Sequence, residues 1–181
     1  STLGSDASAR SVGPRPIRSA ARQHRLAGSM TSVQSLFNMP AHEVTDQHVR
    51  DLVDQALPES LTLEFKREYS KSLVESVAAM ANTHGGVMLV GVADAAQAIE
   101  GSRIVGVDES VIVQLINACH STLEPPWEPE VIPVRLDGGL YVLVVRVDAG
   151  RAPRPIMVNR RAPLRPRGHH GHAGRDPLGG R

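Results

Sequence analysis

Residues 59–94 read ESLTLEFKREYSKSLVESVAAMANTHGGVMLVGVAD, and three patterns follow one another within them. From Leu61 to Lys66, apolar Leu61, Leu63 and Phe65 alternate with Thr62, Glu64 and Lys66. That period of two marks a half-buried strand and puts Glu64 and Lys66 on one face. Ser72 and Glu75 have capping-box spacing and start a helix, with Leu73, Val77, Met80 and Ala81 as its apolar stripe. Gly85-Gly86 supplies the permissive backbone that ends it. Val87 to Val92 is a continuous apolar run, too short for a buried helix and suited to a strand covered on both faces. If the two strands pair in parallel across the helix, Asp94, just past the second, approaches Glu64.

Upstream, Thr45 to Ala56 reads as a short helix with Thr45 as N-cap, Val49, Leu52, Val53 and Ala56 on one side, and Pro58 marking its end. Downstream, Asp108 caps a helix whose stripe is Ile112, Leu115, Ile116, Cys119 and Leu123. The Pro-rich EPPWEPE breaks it, and Val131–Leu136 and Leu140–Val147 flank Asp137-Gly138-Gly139 as a hairpin. The order around the central unit is therefore βαβαββ, an α/β (α+β) single domain.

Net charge is +1, but it is segregated: residues 1–30 carry five Arg and one acid, and residues 151–181 carry eight Arg and one acid. The remaining 120 residues hold 7 basic and 17 acidic side chains, so only the ends are electrostatically made for phosphates. Residues 1–39 read as a disordered or non-native extension, with Met30 as a natural start, residues 40–168 as the domain, and residues 169–181 as a disordered Gly-, His- and Arg-rich tail. Residues 1–30 also have the Arg- and Ser-rich character of a transit peptide, without a secretory apolar segment. Two Phe, two Tyr and one Trp make the core aliphatic and leave few stacking platforms. The single cysteine, Cys119, excludes an internal disulfide and fits a reducing, cytoplasmic setting. It reads as a core residue and not a nucleophile, and His120 as a surface histidine. No apolar run is long enough to span a membrane.

The pattern E-x4-E-F-K (Glu59, Glu64, Phe65, Lys66), then A-x-A-N-T-x-G-G (with Ala81, Asn82, Thr83, Gly85 and Gly86), then G-V-x-D (Gly91, Val92, Asp94) resembles the Schlafen AlbA-type domain family. Ile99-Glu100-Gly101 is similar to its I-x-G, while Arg165–Gly168 matches its closing Y-x-R-x-G only loosely. The resemblance implies an AlbA-like fold and a nucleic-acid-binding or ribonuclease role. It aligns Glu59, Glu64 and Asp94 with the three carboxylates of Schlafen endoribonucleases, which would be catalytic and hold Mg or Mn. Many bacterial relatives continue into a winged-helix region, and the 31 residues after Gly150 are too few for one, so the chain reads as a lone module, a fragment or a product whose end has drifted out of frame.

Hard carboxylate oxygens do suit Mg or Mn, and such a metal activates water for phosphodiester cleavage. Lys66 would then be catalytic by stabilising charge on the phosphate. Alternating Glu and Lys is equally what a solvated strand face carries. For binding, Lys66, Arg67 and Lys71, with Arg165 and Arg167 of the tail, supply phosphate contacts. The family's older ATP-binding label finds no G-x4-G-K-[ST] loop here. His169, His170 and His172 are a minor metal-binding candidate on the tail. The leading expectation is a module that binds DNA or RNA, with a regulatory role such as transcriptional control. The alternatives are a divalent-metal-dependent endoribonuclease and an interaction module that forms a homodimer.

Overall fold

The computed structural model describes residues 30–95 and 102–159. Arg165, Arg167, the tail histidines and Ile99-Glu100-Gly101 lie outside the described residues. The elements are α1 (Val33–Asn38), a 3-10 turn (Ala41–Glu43), α2 (Asp46–Asp54), β1 (Leu63–Lys66), α3 (Ser72–Ala81), β2 (Gly86–Val90), α4 (Ser110–Thr122), β3 (Leu123–Glu124), β4 (Glu130–Arg135), β5 (Tyr141–Val147) and β6 (Met157–Val158).

The main sheet runs β1-β2-β5-β4. β1 and β2 are parallel, with Glu64 level with Met88 and Lys66 with Val90, as the crossover reading requires. The other neighbours are antiparallel. β2 is buried along its whole length because helices cover both faces of the sheet. On one face Met88, Val90, Leu143, Val145 and Val147 pack with Leu73, Val77 and Met80 of α3 and Leu115 and Cys119 of α4. On the other, Leu63, Phe65, Val87, Leu89, Val142 and Val144 pack with Leu36 of α1 and Val49, Leu52 and Val53 of α2. β3 and β6 form a small antiparallel sheet beside the α3–α4 layer.

Several local expectations are corrected. α1 lies in the stretch assigned to the disordered extension, yet Leu36 is fully buried in the second core cluster. Burying a Leu is worth about 2 kcal/mol, and Gln55 adds a tether by donating to the Thr31 carbonyl at 2.6 Å. The domain therefore starts before residue 40. α1 opens on a reciprocal capping box, Ser32 with Ser35. α2 begins after Thr45, whose N–H donates to His48 Nδ1 at 3.1 Å, but it ends at Asp54. Ala56, at φ +49°, has turned into the left-handed region and is exposed, so it is not part of the stripe.

β1 starts at Leu63 and leaves Leu61 exposed. The Ser72–Glu75 capping box does not form, because Ser72 is already helical; its hydroxyl pairs with that of Ser70 at 2.7 Å. Leu123 belongs to β3 and not to α4, whose buried face is Val111, Leu115 and Cys119. Asp108 Oδ1 does accept the Ser110 N–H at 2.9 Å. The hydrogen bonds from Ser110 hold its carboxyl below the usual range.

Gly85 and Gly86 show why the α3–β2 turn needs two glycines. Their φ angles are +70° and +142°. A Cβ on Gly85 would collide with the Val147 carbonyl, and one on Gly86 with the backbone of Thr62. The turn and the start of β2 are thereby pressed against Thr62, just before β1, and the end of β5.

Candidate functional site

At the C-terminal ends of β1 and β2 the strand period does what the sequence implies: Glu64 and Lys66 project from one face, toward α3. Glu64 is 7% exposed. Its Oε1 accepts from Lys66 Nζ at 2.7 Å and from the Ser76 hydroxyl of α3 at 2.7 Å. Ser76 is a partner that sequence reading missed. Its position on α3 is set by the helix stripe, since Leu73, Val77 and Met80 bury and leave Ser76 at the margin facing β1. Lys66 keeps 26% of its side chain exposed. Arg67 and Lys71 are exposed in the loop between β1 and α3, adjacent in the chain to Lys66. Glu68, also exposed, lies between them in the same loop.

The other two carboxylates are placed differently. Glu59 folds back along β1, and its Oε1 accepts the N–H of Phe65 at 2.8 Å. β1 is an edge strand, and the neighbouring outward carbonyl, that of Leu63, is met by the Ser60 N–H at 2.9 Å. Glu59 is thus a cap on the sheet edge. Asp94 is half-buried beyond the end of β2. Among the described residues no group of three or more His, Cys, Asp or Glu side chains stands together so as to hold a metal ion. The donor set Glu59, Glu64 and Asp94 expected for Mg or Mn is therefore not assembled, because one carboxylate is turned to the strand edge and another toward Lys66 and α3.

Arg103 is a second residue that sequence reading missed. Its guanidinium lies over the Phe65 ring, 4.4 Å from the centroid, and donates to the carbonyls of Ala93 at 3.0 Å and Val53 at 3.4 Å. It pins the segment bearing Asp94 to β1 and α2. Cys119 is fully buried, and burial first, then the charge of Glu128, pushes its thiol up to about 12, which bears out its reading as a core residue. His120 Nε2 is 2.8 Å from Glu128 Oε2.

The model of the family described as Schlafen, AlbA_2 matches residues 59–170. The chain belongs to this family. The Schlafen AlbA_2 match covers the β1–α3–β2 unit and runs on through β6, and α1 and α2 precede the matched residues. No curated protein matches the chain. Among solved structures, it is similar to the N-terminal domain of an ATP-dependent DNA helicase RecG-related protein from Nitrosomonas europaea: 26% identity, TM-score 0.46, covering 68% of this chain and 88% of that one. It is also similar to a protein from Corynebacterium diphtheriae, with 27% identity and TM-score 0.41, over 54% of this chain and 19% of that one. The match thus spans about a fifth of the corynebacterial chain. Among the described residues no helix is long and apolar enough to cross a membrane.

Proposed function

We propose that this Schlafen AlbA_2 domain is a nucleic-acid-binding module that contacts the phosphate backbone through Lys66, Arg67 and Lys71. The observation that carries the reading is the Lys66–Glu64 pair at 2.7 Å: the buried carboxylate is matched to the ammonium and fixes it at the sheet end, while its outer flank stays available to a phosphate oxygen. Contacts of this kind give affinity without sequence choice, and that affinity falls steeply with salt. Arg165 and Arg167, in the C-terminal stretch of the sequence, add further positive charge.

The test is a mobility shift with end-labelled tRNA and single-stranded DNA over a NaCl series, with and without Mg or Mn, for wild type and a Lys66→Ala, Arg67→Ala, Lys71→Ala triple variant. Salt-sensitive shifts weakened in the variant support the proposal. Metal-dependent cleavage abolished by both Glu64→Ala and Asp94→Ala would replace it with the endoribonuclease reading. A protein that doubles its mass in solution and shifts neither probe would point instead to a dimerising interaction module.

A further inference from the structure

At the opposite end of the sheet lies a cavity of about 640 Å³. Its wall includes Trp127, Glu128, Glu130, Arg146, Asp148 and Arg151. Arg146 shares the sheet face of Val142 and Val144 and is only 6% exposed. Its Nη1 donates at 3.2 Å to Glu130, the residue directly across on β4. Its Nε and Nη2, both enclosed, meet no acceptor. Those two groups form one edge of the guanidinium, the fork that takes two adjacent acceptors at once. Buried donors left in this state are rare in folded proteins.

The rest of the wall limits what the fork can receive. Three carboxylates outnumber the two guanidinium groups, so a phosphate or carboxylate ligand is repelled. Each carboxylate also keeps lone pairs beyond its present bond: Glu128 faces His120 at 2.8 Å, Asp148 accepts the Gly150 N–H at 2.8 Å, and Glu130 faces Arg146. The complementary ligand is neutral, with two adjacent acceptors on one edge and N–H donors on another. Trp127, the only tryptophan in the chain, adds an aromatic wall.

Guanine has that form. Its O6 and N7 are the acceptor pair taken bidentately by an Arg fork, whereas adenine sets a donor beside N7. Its N1–H and N2 amino group supply donors for carboxylates. We propose that this cavity reads an unpaired guanine, with Arg146 on O6 and N7, Glu128 and Asp148 toward N1 and N2, and Trp127 stacked on the ring. Unpaired bases are recognised by this combination of stacking and edge contacts. Glu130, 54% exposed, keeps its bond to Nη1, and the base reaches the enclosed Nε–Nη2 edge as the side chains over it give way. The inference rests on the nucleic-acid reading for the source of the base, but it uses none of the same residues.

The test follows the fluorescence of Trp127 in the full chain during titration with guanosine, 7-deazaguanosine, inosine and adenosine. Guanosine is expected to quench it saturably. Adenosine and 7-deazaguanosine are expected to bind about tenfold or more weakly, the discrimination one bidentate base contact supplies. Inosine, without the N2 amino group, should fall between. Arg146→Lys keeps the charge and removes the fork, and should lose the preference for guanosine with its thermal midpoint retained. Equal quenching by adenosine and guanosine, or none by either, overturns the proposal. Because nucleosides carry no phosphate, that failure leaves backbone binding through Lys66 standing. Selective guanosine binding by a chain that shifts no tRNA or DNA would uphold the pocket and reject the nucleic-acid reading.

Discussion

Lys66 Nζ and the Ser76 hydroxyl meet the same oxygen, Oε1 of Glu64, each at 2.7 Å. One carboxylate thereby joins β1 to α3 and holds the ammonium at the sheet end. The two ends of the ion pair are unequally buried, and this sets the expected response to mutation. Lys66→Ala takes a counter-charge from a carboxylate that is 7% exposed, and should cost about 1–3 kcal/mol in urea unfolding. Glu64→Gln keeps an oxygen for Ser76 and releases Lys66 toward solvent, so it should cost about 1 kcal/mol or less. It should also tighten nucleic-acid binding at low salt, whereas Lys66→Ala should weaken it. Equal destabilisation by the two variants, or weaker binding by Glu64→Gln, would count against this account.

Gly86 tests how closely the start of β2 is pressed on the chain leading into β1. Gly86→Ala places a methyl group on the Thr62 backbone at φ +142°, where no flexible side chain can give way. A loss of about 4 kcal/mol or more is expected, seen as insoluble protein or a collapsed thermal midpoint. Gly139 also has a positive φ, +82°, but a Cβ added there, in the hairpin turn, would meet nothing within 4 Å. Gly139→Ala should therefore cost only about 1 kcal/mol, the backbone component alone. Similar midpoints for the two variants would mean that close approach is not what Gly86 provides.

The β1–α3–β2 unit was legible because each of its periods is local: alternation fixed the shared face of Glu64 and Lys66, and the stripe fixed the buried side of α3. What sequence reading missed depends on distant partners. Asn82 is the clearest case, since its amide donates to the Ile156 carbonyl and accepts the Ile156 N–H, both at 2.7 Å, from a residue 74 positions away. It holds β6 in place, and nothing near Asn82 in the chain announces that. α1 has only six residues, and its one legible signal is Ser32 three before Ser35. Three carboxylates in a family pattern looked like one centre, but strand geometry sends Glu59 to an edge and Glu64 under a helix. Arg146 had a signal that went unused, a charge on the inward period of an otherwise apolar strand, YVLVVRV.

Cys119 gives a pH prediction. Its thiol is raised by burial from 9.0 to about 12 in the folded protein. The folded state keeps the proton that the unfolded chain releases, so its stabilising effect is complete below pH 9.0, declines from there, and is exhausted above about pH 12. Thermal midpoints of wild type should thus fall more steeply between pH 9 and pH 11 than those of Cys119→Ala, which lacks the titration. At neutral pH the thiol should react with iodoacetamide only at the rate of unfolding. Parallel pH profiles for the two proteins, or prompt alkylation, would contradict the burial.

Glu59 separates a structural carboxylate from a catalytic one. Its hydrogen bond to the Phe65 N–H covers a donor on the exposed edge of β1, a position where unpaired groups invite pairing with another chain. Glu59→Gln retains an acceptor at that point, while Glu59→Ala removes it. The alanine variant should lose about 1–2 kcal/mol and the glutamine variant clearly less, because an ionised acceptor is roughly twice as strong as a neutral one but either covers the donor. Light scattering at high protein concentration should show self-association growing in Glu59→Ala alone. None of this depends on a divalent metal, so the pattern should be unchanged in Mg, Mn or chelator. A metal ligand would behave in the reverse way: Gln and Ala would be equally harmful to metal-dependent cleavage, and neither would expose the sheet edge.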